Sequence, residues 1–285
     1  MKPPIAVIGG SGVKSIVRGE EKIIGTPYGP TPSLTIGQVK GRDAIYLPRH
    51  GEGHTAPPHN VNYRANIWGL KSLGVERIIA TNAVGAIDTS LVPGEIVIPS
   101  DLIDFTKSRR GTFYDGSPVT HVDVSEPYCP TLRNAIASAG SDNKKNLRND
   151  IVMACTEGPR YETPAEIRML KALGGGIVGM TGAPEAFLAR ELELCYASIS
   201  FVSNMAAGLQ RTLSAREVEE KGRETGQILN KILIEAIGKI PDSREGCSCG
   251  RALAQAQLNK PEVKEQTCLT ACSESREYTP PTKNG

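Results

Sequence analysis

No run of apolar residues in this sequence approaches the roughly twenty needed to span a membrane. The opening stretch, Met1-Lys2-Pro3-Pro4-Ile5-Ala6-Val7-Ile8, holds too short an apolar run for a signal peptide, so a cytoplasmic location is expected. An excess of one charge is missing too. The 33 Lys and Arg against 31 Asp and Glu leave a formal charge of +2, spread along the chain. That balance gives no broad electrostatic footprint for nucleic acid or a membrane surface, and the expected partners are small molecules or sister subunits. The glycine-rich stretch 9–12 after the opening apolar run fits neither G-x-G-x-x-G nor the P-loop pattern, which removes support there for the two commonest glycine-rich phosphate cradles. No internal repeat is present.

What is there suffices for one large core: 285 residues, 39% of them hydrophobic. Short apolar runs bounded by Gly and Pro recur at 5–8, 44–47, 77–80, 95–98, 151–155, 176–180 and 196–200, and read as buried strands. Helical patterns fall between them at 62–73, 130–139, 164–173, 184–192 and 215–237. Strands alternating with helices predict an α/β domain around a largely parallel sheet. Thr163-Pro164-Ala165-Glu166 and Ser214-Ala215-Arg216-Glu217 read as helix starts. After Pro241 the chain becomes polar and cysteine-containing, which divides it into a catalytic domain, 1–240, and a tail, 241–285, with a mobile end.

Chemistry-bearing residues collect where strands end. Gly9-Gly10-Ser11-Gly12 is either a tight turn or a nest of amides for an anion, with Ser11 adding a hydroxyl. Arg49 and His50 open a segment in which His54 and His59 follow; a guanidinium at a strand end suits phosphate. Three histidines within ten residues also suggest a metal, but no cysteine or paired carboxylate completes a ligand set, so none is assigned. Thr81-Asn82-Ala83-Val84-Gly85-Ala86 reads as a strand giving way to small residues. His121 alone reads as a surface histidine. Tyr161 and Glu162 offer an aromatic face and a hydrogen-bond acceptor, unless Glu162 or Thr163 merely caps the next helix. Met180-Thr181 and Asn204-Met205-Ala206 follow apolar strands, placing polar groups in the crevice where α/β sheets bind ligands.

Taken together and in this order, six separated motifs over approximately 5–240 resemble the nucleoside phosphorylase family, which includes purine nucleoside and methylthionucleoside phosphorylases. The string Pro57-Pro58-His59-Asn60-Val61-Asn62-Tyr63-Arg64-Ala65-Asn66-Ile67-Trp68 resembles the methylthionucleoside branch in particular. The resemblance implies a single domain with a mixed, largely parallel, partly barrel-like sheet. It also implies that Ser11, Arg49, His50, Asn82, Ala83 and Thr181 hold phosphate, a co-substrate, with no cofactor or metal required. By the same resemblance Met180 meets the ribose, Tyr161 packs on the base, and Glu162 and Asn204, with Met205 and Ala206 beside them, recognise its polar edge. Asn204 and His50 are the expected catalytic groups. His54 lies near the 5' end, as do Ala215 and Val218, and His121 completes a neighbour's site in a homotrimer or dimer of trimers.

Base choice follows from chemistry. A 6-oxopurine presents an N1–H that a carboxylate accepts, whereas adenine presents a lone pair that it repels. Adenine-cleaving relatives typically carry a small hydroxyl residue at the position of Glu162 and aspartates at those of Asn204 and Ala206. The expected substrates are therefore 5'-methylthioinosine, inosine and guanosine. Ala215 and Val218, standing where a histidine meets the 5'-hydroxyl in human-type enzymes, favour methylthio. Cys129, Cys155 and Cys195 read as separate buried thiols. Cys247, Cys249, Cys268 and Cys272 leave disulfides, as a Cys-x-Cys terminus makes in some heat-loving archaeal relatives, a four-thiolate zinc site and free thiols all open.

Overall fold

The structure is a computed structural model and describes residues 4–13 and 15–258. Nine strands form one sheet: β1 (Ile5–Gly9), β2 (Arg18–Lys22), β3 (Leu34–Val39), β4 (Arg42–Pro48), β5 (Arg77–Ala86), β6 (Ile96–Phe105), β7 (Arg148–Thr156), β8 (Ile177–Gly179) and β9 (Cys195–Met205). The helices are α1 (Tyr63–Ser72), α2 (Pro130–Asp142), α3 (Pro164–Ala172), α4 (Gly182–Glu191) and α5 (Ala215–Lys239).

The strand order is β2-β3-β4-β1-β5-β8-β7-β6-β9, and an extra pairing of β5 with β9 closes the last five strands into a ring. The sheet is thus mixed and partly barrel-like. β1 runs parallel to β4 and β5, and β5 parallel to β9, while β8 runs antiparallel to β5. The sequence reading missed β2 and β3. RGEEK carries no apolar run because it is an exposed outer strand, and LTIGQV is buried chiefly at its two ends.

β1 shows why its run is continuously apolar. Successive side chains point to opposite faces. Ile5 and Val7 enter a cluster with Leu132 and Ile136 of α2 and Leu229 and Leu233 of α5. Ala6 and Ile8 enter the other, with Ile67 and Leu70 of α1 and Leu188 of α4. Helices therefore cover both faces, and ligands are left the strand ends.

The chain beyond α5 is not a loose appendage over the part described. Arg77 Nη2 donates to Asp242 O (2.8 Å), the Leu253 amide donates to Glu193 Oε1 (3.1 Å), and Thr120 bridges to Gln257. Cys249 is buried in the main core. The separate-thiol reading of Cys129 and Cys195 is corrected here: the fold brings both beside Cys247 and Cys249, although long stretches of chain separate them. Cys268 and Cys272 lie outside the described residues.

Candidate active site

The ends of β1, β4, β5 and β8, the loop after β7 and the end of β9 open onto one cavity of about 970 Å³, which the start of α5 also walls. Register brings these ends together: Gly9 of β1 faces Pro48 of β4, Gly85 of β5 faces both Val178 of β8 and Asn204 of β9, and Cys155 of β7 faces Gly179. The segment Thr81–Ala86, expected to leave the strand, instead stays within β5; a register shift between Val84 and Gly85 re-aims its end. That irregularity turns side chains toward the cavity without breaking the ladder.

One half of the cavity is lined by Ser11, Arg49, His50, Asn82, Ala83 and Thr181. Gly10 must be glycine, because a Cβ there would stand 2.4 Å from Thr81 O and 2.8 Å from Arg49 Nη1. Arg49 is 2% exposed, and Glu185 of α4, at 0%, grips it through Nε and Nη2 (both 2.7 Å) while Nη1 donates to Thr81 O (2.8 Å). Tyr196 adds a hydroxyl bond to Glu185 (2.7 Å). Burial works against the charge on Arg49, yet Glu185, by charge and hydrogen bonds, holds its pKa above the ordinary value. Nη1 and Nη2 each carry a second hydrogen, so the fork retains donors for an oxyanion.

His50 Nδ1 lies 2.8 Å from Ala56 O, which makes Nδ1 the protonated nitrogen and leaves a lone pair on Nε2. Burial first, and the Arg49 charge second, push its pKa down to about 4, so the ring is neutral at physiological pH. His54 stacks on it at 4.2 Å between centroids. Asn82 is fixed at both ends: Ser198 donates its hydroxyl to Oδ1, and Nδ2 donates to Thr181 Oγ1 (2.7 Å). Having accepted that bond, Thr181 keeps its own hydroxyl hydrogen to donate elsewhere.

The other half is lined by Tyr161, Glu162, Met180, Asn204 and Ala206. Thr163 caps α3 and completes its capping box with Glu166, whose carboxylate Arg160 also holds (2.7 and 2.8 Å). Glu162 is therefore not spent on the helix. Thr156 donates to Glu162 Oε1 (2.6 Å), and burial raises the carboxyl's pKa despite that bond. Asn204 Oδ1 accepts from Ser203, and its Nδ2 donates to Met205 O (2.9 Å). Leu213, Ala215 and Val218 wall the side near α5, and Glu219 and Arg223 line it as well.

Two expected residues are not on this wall. Strand alternation turns Met205 away from Asn204, and it packs against the cluster of Val84 and Val202. His121 lies elsewhere, its amide donating to Ala256 O (2.8 Å). Two positioning residues escaped the sequence reading. Glu185 is an acid inside the otherwise apolar string Gly182-Ala183-Pro184-Glu185-Ala186-Phe187-Leu188-Ala189, and that oddity was the available signal. Arg109 donates to Met180 O (2.8 Å), Ala183 O (2.6 Å), Glu157 O (2.6 Å) and Tyr63 OH (3.1 Å), tying the loops after β7 and β8 together. Nothing local in its sequence marks it.

The cavity thus sets a buried arginine and a neutral histidine beside a carboxylate and an amide. The chain belongs to the phosphorylase superfamily, whose pattern matches residues 4–238. It is 49% identical over 265 residues to a protein of Thermococcus kodakarensis named a probable 6-oxopurine nucleoside phosphorylase, covering 89% of this chain and 98% of that one. It is 48% identical to a probable S-methyl-5'-thioinosine phosphorylase of Methanothermobacter thermautotrophicus, covering 90% and 91%. Among solved structures, methylthioadenosine phosphorylase from Schistosoma mansoni in complex with adenine superposes with TM-score 0.83 at 31% identity, over 91% of this chain and all of that one.

Proposed function

We propose that the chain cleaves 6-oxopurine nucleosides with inorganic phosphate, releasing the free purine and ribose 1-phosphate or 5-methylthioribose 1-phosphate. The observation that carries this reading is Glu162: an acid on the cavity wall, excused from helix capping by Glu166 and oriented by Thr156.

Phosphate sits against Arg49, Ser11, Asn82, Ala83 and Thr181, with the Nε2 lone pair of neutral His50 accepting from a phosphate hydroxyl. As the glycosidic bond lengthens, positive charge grows on the sugar and electrons move into the purine. The bound anion faces that carbon, so a two-body encounter becomes a positioned attack. Met180 packs against the ribose and Tyr161 against the base. Asn204 Nδ2, held by its bond to Met205 O, keeps a second hydrogen to donate to the imidazole side of the purine and stabilises the departing base, an effect worth on the order of 10²–10³ in rate for one preorganised donor. Glu162 accepts N1–H. No covalent intermediate, cofactor or metal takes part. Leu213, Ala215 and Val218 favour a methylthio group at the 5' position, while the polar groups nearby admit inosine and guanosine. The working form is a homotrimer or dimer of trimers in the cytoplasm, with His121 reaching a neighbour's cavity; among the described residues no helix is long and apolar enough to cross a membrane.

The test is to incubate the protein with methylthioinosine, inosine and methylthioadenosine, each with and without phosphate, and to measure released base. Phosphate-dependent hypoxanthine release is expected. Release from none of them points to a nucleoside-binding module without activity, and preferential adenine release overturns the role of Glu162.

A further inference from the structure

Far from the cavity, the sulfur atoms of Cys129, Cys195, Cys247 and Cys249 all lie within 4.8 Å of one another. Three stretches of chain supply them. Cys129 is the residue before α2, Cys195 opens β9, and Cys247 and Cys249 lie on the segment after α5. Two backbone bonds fix the first pair: the Cys129 amide donates to Tyr196 O (2.7 Å) and the Cys195 amide to Glu76 O (2.9 Å). Cys129, Cys195 and Cys249 are buried, Cys247 is half-buried, and all four are free thiols, with 3.5 Å between the sulfurs of Cys195 and Cys247.

We propose that these four cysteines form a closed, structural tetrathiolate site for a divalent metal ion of the zinc type. Four sulfurs about 2.3 Å from a central zinc stand about 3.8 Å apart, which is the scale of this cluster. Four thiolates and no oxygen or nitrogen ligand select a soft or borderline ion over magnesium or calcium.

The surroundings suit the negative charge that such a centre carries. Cys129 stands at the N-terminus of α2, the positive end of a thirteen-residue helix. Arg244, whose carbonyl accepts from Cys247 Sγ (3.7 Å), has a buried Nε with no hydrogen-bond partner among the described residues. With every ligand supplied by protein the ion has no open position, so its role is to clamp the chain after α5 to β9 and α2. Cys195 and Asn204 lie at opposite ends of β9, nine residues or roughly 30 Å apart at about 3.3 Å per residue, which keeps the site clear of the chemistry.

The full-length protein, purified under reducing conditions, is expected to contain about one zinc per chain by elemental mass spectrometry. Replacing it with Co²⁺ should give intense thiolate-to-cobalt absorption and the visible bands of a tetrahedral site. Cys268→Ser/Cys272→Ser should keep the metal, whereas Cys129→Ser/Cys249→Ser should lose it. Because that second variant places two hydroxyls in the core and can lose metal by unfolding, Co²⁺ titration of the metal-stripped wild type is the deciding measurement. Absence of thiolate–cobalt absorption there overturns the proposal, as does metal that follows Cys268 and Cys272, or mass spectrometry finding these four sulfurs paired as disulfides in the protein as isolated.

Discussion

Replacing Glu162 by glutamine changes one oxygen to an NH2 group at nearly constant shape. Thr156 donates to Oε1 (2.6 Å), so the amide oxygen is held toward Thr156 and the NH2 is turned to the base. There it meets the N1–H of a 6-oxopurine donor to donor. Leaving one buried polar group unpaired costs about 1–3 kcal/mol. At about 1.4 kcal/mol per tenfold, kcat/KM for inosine or methylthioinosine should fall roughly 5- to 150-fold. Adenine's N1 lone pair accepts from the same NH2, so activity on methylthioadenosine should rise. The phosphate KM should stay near the wild-type value, since Arg49, Asn82 and Thr181 keep their partners. Initial rates of hypoxanthine and adenine release at saturating phosphate give the ratio directly. If the inosine-to-adenosine preference is unchanged within about twofold, Glu162 does not read N1 and the base-recognition argument fails.

Two further outcomes follow from the electrostatics. Glu162 must be ionised to accept N1–H, and burial lifts its pKa; hypoxanthine affinity measured without phosphate should hold around neutral pH, where N1 keeps its proton, and fall as pH drops through that raised value, earlier than for an ordinary carboxylate. Glu162→Gln should flatten this limb, and an identical limb in both proteins would assign it to another group; His50, with its pKa near 4, titrates too low to supply it. Glu185→Gln should leave Arg49 buried without a counter-charge, costing several kcal/mol of stability, roughly 3–5 by comparison with other broken buried pairs. A lower melting temperature with a raised phosphate KM is expected, and wild-type values for both would refute the positioning role.

Much of this was legible in the chain. Apolar runs such as Ile5-Ala6-Val7-Ile8 announce strands buried on both faces, and Thr163-Pro164 marks a helix start that the structure places at Pro164. Strand ends were harder. β5 and β9 continue through Asn82, Ala83, Ser203 and Asn204, because small and polar side chains that read as a turn are paired and bonded inside a closed ring of strands. Fourteen of the residues named from sequence line one cavity, since the strand ends meet there and α5 begins beside them. The partners that aim them were hidden: Glu185 and Arg49 are 136 residues apart, and Arg109 works through carbonyls, which leave no trace in side-chain identity. The cysteine cluster was hidden for the same reason, its members scattered over segments that only tertiary packing unites.

The arginine at the cradle's floor arrives with its neutralising partner already attached. Seen from solvent, the two opposite charges largely cancel, so if phosphate binds here as proposed, little long-range attraction gathers it from a distance. Capture then relies on short, directional bonds formed after arrival, and added neutral salt should barely alter the concentration of phosphate that half-saturates the protein. On the proposed reading, such a site would select a tetrahedral anion by its shape more than by its charge.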